Sequence, residues 1–241
     1  LLESVADNDP QQQASQIRSF INQQVDLIMI VAVDNKAIMT SVNACEDAGI
    51  PVVTFDRQIP DADYVSYHAG LDSYADGEAC GEYVAEQNPG DEELVVLELL
   101  GALNDSNAIQ RRDGFNAALE GEDNLNIVQR PTEWNADKAL SAVENAIVNY
   151  DNLWAIQIPS DFMQDSIKTA LEEADMLVPV GEPGHIIVTT IDGAWPGYKA
   201  VVDGWTDGVA VLPLFELGRS AVRNGMRVAQ GQSVSQEEEL F

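Results

Sequence analysis

Two places in the sequence set charged side chains directly after a strand-like run. Asp56 and Arg57 follow the apolar run 51–55, and Asp192 follows the run 185–191 with Gly193 behind it. A carboxylate accepts hydrogen bonds from hydroxyls, and a guanidinium donates in a planar fork. Opposite charges side by side hold each other while both face a ligand. The plainer alternative for Asp56 and Arg57 is an ion pair in a surface turn. For Asp192 it is an N-cap of the next helix, a role that leaves ligand contact open. Asp72, just before the helical stretch from Ser73, reads as a cap. Nothing points to catalysis. His68 and His185 fall in strand patterns with no Ser, Cys or metal-ligand partner at useful spacing. No phosphate-binding or dinucleotide fingerprint occurs. Cys45 and Cys80 fit no metal spacing and read as small buried residues. The expectation is a binding protein, no enzyme, without cofactor or metal.

The elements that would hold these residues alternate regularly. Apolar runs at 26–32, 51–55, 94–97, 153–156 and 185–191 lack strand alternation, the mark of parallel sheets covered on both faces. Between them lie amphipathic helical faces: Ala14, Ile17, Phe20 and Ile21; Ile38, Ser41, Val42 and Cys45; Leu140, Val143 and Ile147; Phe162, Met163, Ile167 and Leu171. Gly49 and Pro51 punctuate a helix stop and a strand start. Strand and helix in repeated alternation predict an α/β, doubly wound architecture. The length of 241 residues allows two such sheets.

Composition narrows the partners. Asp plus Glu number 41 against 12 Lys plus Arg, a net charge of −29. Such a chain repels phosphate backbones, and the densest basic pair is Arg111-Arg112, so no nucleic-acid partner is expected. The acidic excess suits a chain bathed in salt or an ordinarily solvated surface. No apolar run reaches the roughly 18 residues of a membrane-crossing helix. Leu1-Leu2-Glu3-Ser4 shows no secretory signal.

An ordered series of motifs carries a resemblance. A Gln-rich helix (Gln11, Gln12, Gln16, Gln23) leads into Val25-Asp26-Leu27-Ile28-Met29-Ile30. Asp34 follows, and then Asp47-Ala48-Gly49-Ile50-Pro51-Val52-Val53-Thr54-Phe55-Asp56-Arg57. Gly101 to Ser106, Arg111-Arg112-Asp113-Gly114-Phe115, Trp134, Ser160-Asp161 and Ile191-Asp192-Gly193 continue it in order. This series resembles periplasmic sugar-binding proteins of the ribose-binding type, whose fold is shared with LacI-type repressor cores.

The resemblance implies two doubly wound parallel-sheet lobes joined by a three-crossing hinge, with the ligand in the cleft. Residues 1–71 and 213–238 would form the N-terminal lobe and 72–212 the C-terminal lobe, with a third crossing close to the C-terminus. A first strand and helix, roughly 25–40 residues, would precede Leu1, and the last strand would run past Phe241. On that reading the chain is truncated at both ends, which would leave an unpaired sheet edge. The implied ligand contacts are Asp56, Arg57, Arg111, Trp134, Ser160, Asp192 and Leu212. Arg112, about 100° around the helix from Arg111, should point elsewhere. Trp134 would pack on the C–H face of a sugar ring. Trp195 and Phe55 could join that wall or lie in the core. The family commonly has Asn at Ser160 and Gln at Leu212, so this pocket suits a less polar sugar or a polyol. The implied role is the solute-binding component of an ABC-type importer: a periplasmic monomer that closes on its ligand and docks on a membrane permease. Two alternatives share the fold. A LacI-type regulator needs a helix-turn-helix domain and fits the charge of −29 poorly. A sensory input domain would have the same pocket.

Overall fold

The computed structural model describes residues 1–90, 92–235 and 239–240. In chain order the helices are α1 Pro10–Asn22, α2 Met39–Asp47, α3 Ser73–Gln87, α4 Ser106–Ala118, α5 Ala136–Asn149, α6 Gln164–Glu173, α7 Trp195–Val202 and α8 Leu214–Ala229. The strands are β1 Ile28–Ile30, β2 Val52–Asp56, β3 Val65–Gly70, β4 Leu94–Leu100, β5 Leu125–Pro131, β6 Leu153–Ile158, β7 Ile187–Asp192, β8 Gly208–Val211 and β9 Glu239–Leu240. They divide into two compact units. Unit 1 comprises Leu1–Asp72, Asn104–Asn107 and Pro213–Phe241, and unit 2 comprises Ser73–Leu103 and Ala108–Leu212. The stretch Asn104–Asn107, assigned to the second lobe from sequence, thus groups with unit 1. The expected third crossing falls beside residues outside those described.

Unit 1 carries a parallel sheet in the order β1-β2-β3-β9. Ile17 of α1 and Val42 and Cys45 of α2 bury against Ile28, Ile30 and Val52. Helix α1 starts where Asp9 accepts from Gln11 N and Gln12 N at 2.8 and 3.2 Å, with Pro10 in its first turn. Strand β1 is shorter than the run 26–32. Asp26 is exposed at one end. At the other, the Gln13 carboxamide donates to Val31 O and accepts from Val33 N at 2.7 and 3.0 Å, so that backbone is satisfied without a ladder.

Unit 2 carries a five-stranded parallel sheet in the order β5-β4-β6-β7-β8. Strand β4 is buried at every position, as its unbroken apolar run requires. Val143 and Ala146 of α5 and Ile167, Ala170 and Leu171 of α6 pack on it and on β6. Phe162, read as part of that face, is instead 48% exposed, while its neighbour Met163 is fully buried. Helices α3 and α4 meet backbone to backbone. A Cβ on Gly77 would lie 2.0 Å from Arg111 O, and one on Gly114 would lie 2.0 Å from Tyr74 O. Only glycine permits that approach, and it fixes α4 and its arginines against the unit.

Both cysteines are buried and free, and burial pushes their thiols up to about 11 for Cys45 and about 12 for Cys80. His68 lies in β3 against Thr54 Oγ1 at 2.8 Å. His185 precedes β7 rather than lying in it. Its ring bonds Val178 O and Asp207 Oδ2, both at 2.8 Å, and Asp207 also accepts from Val188 N. These contacts hold it in the loop.

A polar row crosses the apolar sheet. Gln129, Glu98, Gln157 and Thr189 stand in register on β5, β4, β6 and β7. Glu98, 1% exposed, accepts from Asn116 Nδ2 and Gln129 Nε2 at 2.8 Å each. Burial pushes its carboxyl up to about 7, against 4.5 when free, despite these donors. The folded chain therefore holds this proton where the unfolded chain has lost it. The contribution is complete below pH 4.5 and is lost as pH rises through about 7. Glu98→Gln mimics the protonated form. Its stability by urea unfolding should exceed the parent's by about 1–3 kcal/mol near pH 8 and match it near pH 4. A constant difference across that range would refute the buried titration.

Candidate functional site

In unit 1, β2 ends at Asp56, whose backbone turns left-handed at φ 66°. Asp tolerates this region better than most residues. Asp56 Oδ1 accepts from Asn107 Nδ2 at 2.7 Å. Arg57 Nε meets Asp105 Oδ2 at 2.7 Å, and its Nη1 donates to Ala32 O at 3.2 Å. Asp105 is 1% exposed and its other oxygen accepts from Asn107 N at 2.9 Å. Asn104 Nδ2 donates to Asp34 at 2.7 Å, and Ser106 Oγ donates to Gln58 O at 3.2 Å. The stretch from Asn104 is thus stitched to the loops that follow β1 and β2. Asp56 and Arg57 each take a partner from this stretch.

In unit 2, Arg111, Ser160 and Asp192 come together. Arg111 is 7% exposed. Its Nη1 donates to Pro159 O at 2.7 Å and its Nη2 lies 3.4 Å from Asp192 Oδ1. Its Nε is buried with no partner among the described residues. Ser160 Oγ donates to Asp192 Oδ2. Asp192, the last residue of β7, has φ 114°, a costly backbone for a non-glycine residue. Asp161, 1% exposed, accepts from Ala194 N at 2.6 Å and so anchors the start of α7. Burial and the neighbouring Asp192 raise its carboxyl above the usual range. Arg112 points away, paired with Asp113.

Trp134 and Leu212 are the apolar members of the set. Glu133 and Trp134 both adopt left-handed backbones, φ 54° and 55°. The Trp134 ring is half-buried against unit 2's core and lies over Gly101, where a Cβ would come within 2.3 Å of it. Leu212, 7% exposed, follows β8, and its N donates to Asp192 O at 3.0 Å. Trp195 is 69% exposed, so it is no core residue. Asp105, Asn107 and Asp161 were not singled out from sequence. The string Asn104-Asp105-Ser106 before a helix was the available signal, and it reads as ordinary capping.

Charged and amide side chains at the carboxyl ends of parallel strands define a class that binds small ligands. Among the described residues no cluster of metal ligands accompanies them. A family model described as the periplasmic binding protein domain matches residues 2–233. The chain belongs to the periplasmic binding protein family, whose members bind solutes and are not enzymes. The ribose import binding protein of Salmonella typhimurium is 26% identical over 228 residues, 94% of this chain and 73% of that protein. A galactofuranose-binding protein of Escherichia coli is 30% identical over 209 residues, 83% of this chain and 64% of that protein. An ABC transporter solute-binding protein from Bacillus halodurans, solved with myo-inositol, matches with TM-score 0.88 at 26% identity, covering 98% of this chain and 79% of its own. One from Mycobacterium smegmatis, solved with glycerol, matches with TM-score 0.85 at 27% identity, covering 97% and 78%.

Asp105→Ala removes the carboxylate of a half-buried guanidinium and the acceptor of Asn107 N together. Unit 1 should lose about 1–3 kcal/mol in urea unfolding. Asp105→Asn keeps an acceptor for Asn107 N and should lose less. Equal losses would show that the lost charge opposite Arg57 accounts for the whole effect, and an Asp105→Asn chain as stable as the parent would show that it accounts for none of it.

Proposed function

We propose that the chain is the solute-binding component of an ABC-type importer and that the two strand-end clusters bind the hydroxyls of a small neutral sugar or polyol. The carrying observation is the charge count. Unit 1's cluster has one guanidinium, Arg57, against Asp56 and Asp105. Unit 2's has Arg111 against Asp192 and Asp161. In each cluster two carboxylates stand near one arginine, so an anionic ligand would meet negative charge. A neutral polyhydroxyl compound meets donors and acceptors of both kinds. The relatives' ligands agree in class: ribose, galactofuranose, myo-inositol and glycerol appear in their names.

On this reading Asp56, Arg57, Arg111, Asp192 and Ser160 bind hydroxyls, Trp134 offers a ring face, and Leu212 supplies an apolar wall. The loaded protein engages a membrane permease in the periplasm, as a monomer and without nucleic acid.

A thermal-shift panel of pentoses, hexoses, deoxy sugars and polyols tests the proposal. A ligand at 100 times its Kd should add about 2.7 kcal/mol to stability. Arg57→Ala should abolish that gain. A cooperative melt that no compound in the panel shifts, or an Arg57→Ala chain that binds as tightly as the parent, would refute it.

A further inference from the structure

The exposed apolar side chains of unit 2 are not scattered. Leu103, Phe162 and Trp195 stand three, four and three residues past the carboxyl ends of β4, β6 and β7, and are 52%, 48% and 69% exposed. Val211, the last residue of β8, is 70% exposed, and Tyr198 in the first turns of α7 is 58% exposed. All five lie at or past the carboxyl ends of strands of unit 2, and Ser160 and Asp192 stand at two of those ends. Val211 closes over the turn after Asp192, where a Cβ on Gly193 would lie 2.8 Å from its Cγ1.

Trp195 and Tyr198 form a pair, with ring centroids 5.7 Å apart and planes tilted by 35°. Their helix buries its other face. Gly197 lies against Asp161, where a Cβ would come within 2.6 Å of the carboxylate, and Ala200 is in the core. The Asp161 anchor on Ala194 N fixes where α7 begins, three residues past Asp192. Cα–Cβ bonds in a helix tilt toward its N-terminus. Here the N-terminus is the end nearest Asp192, so both rings lean back toward the strand-end edge. Trp and Tyr hold large exposed apolar faces at a cost in water that a lone solvated surface does not repay.

We propose that the Trp195–Tyr198 pair is a platform for a second ring, so that the ligand is a glycoside or ether of the sugar or polyol, carrying an aromatic or sugar ring beyond the part held by Arg111 and Asp192. The proposal rests on the sugar-binding reading above. The polar cluster takes the hydroxylated ring, and the indole face takes the flat or C–H face of the substituent.

Isothermal titration tests it with the compound that binds in the sugar and polyol panel and with that compound's phenyl glycoside or phenyl ether. The phenyl derivative should bind about two- to tenfold more tightly than the unsubstituted compound. Trp195→Ala should erase that advantage, Trp195→Phe should keep most of it, and the unsubstituted compound should bind equally to all three. Trp195 is so exposed that its replacement should leave the melting temperature in place. The phenyl derivative alone should shift the emission of Trp195. A phenyl derivative that binds no tighter, or an advantage that survives Trp195→Ala, overturns the platform and leaves the sugar-binding reading intact. Unchanged binding of both compounds by Trp195→Ala, with weakened stimulation of a reconstituted permease, would make the pair a docking contact and overturn it too. If nothing in the panel binds, the sugar-binding reading fails and the platform fails with it.

Discussion

A guanidinium buried as deeply as Arg111 must be neutralised and hydrogen-bonded, because a lone charge in a poorly solvated site is far too costly. Unit 2 meets that demand from two strand ends. Pro159 O beyond β6 takes one amino group, and Asp192 at the end of β7 faces the other. The strained backbone of Asp192 follows from the same demand, since a residue continuing the strand would not turn its carboxylate to the arginine. Ser160 then holds the second carboxylate oxygen. Its Nε is buried without an acceptor among the described residues.

Unit 1 solves the same problem with a different source of charge. Arg57 finds its carboxylate in Asp105, and Asp56 finds its donor in Asn107. Both partners come from a four-residue stretch far off in sequence. The two units therefore share a logic, one arginine held by one carboxylate with a second carboxylate close by, without sharing its parts. Hydrogen-bonded ion pairs of this kind contribute little net stability. Their value is orientation: each fixes a fork of donors beside a set of acceptors, which in the proposed role would lower the ordering cost of binding.

Much of the fold was legible because parallel strands buried on both faces are largely apolar, as are the runs at β2, β4, β6 and β7 apart from positions such as Thr54, Glu98, Gln157 and Thr189. Asp56 and Asp192 were legible for the same reason: each is the first charge after such a run. Arg111 was not legible from pattern. Its helix has no marked apolar stripe, since its packing against α3 works through Gly77 and Gly114 rather than through large side chains. Only the resemblance singled it out. Asp105 and Asn107 were hidden because a contact across fifty residues leaves no local trace. His185 and Phe162 misled in opposite ways. His185 extends an apolar run but is pulled out of it by Asp207, and Phe162 sits at helical spacing but is the one outward-facing residue of a short 3-10 turn, Asp161–Met163.

The departures at Ser160 and Leu212 now have a physical content. An amide at 160 could donate to a ligand while accepting from the protein. Ser160 has a single proton and spends it on Asp192. Leu212 is buried, its side chain has no polar atom, and its backbone N is given to Asp192 O. In the proposed site these two positions therefore offer a ligand fewer polar side-chain groups than amides would, and each ligand hydroxyl buried there without a partner would cost about 1–3 kcal/mol.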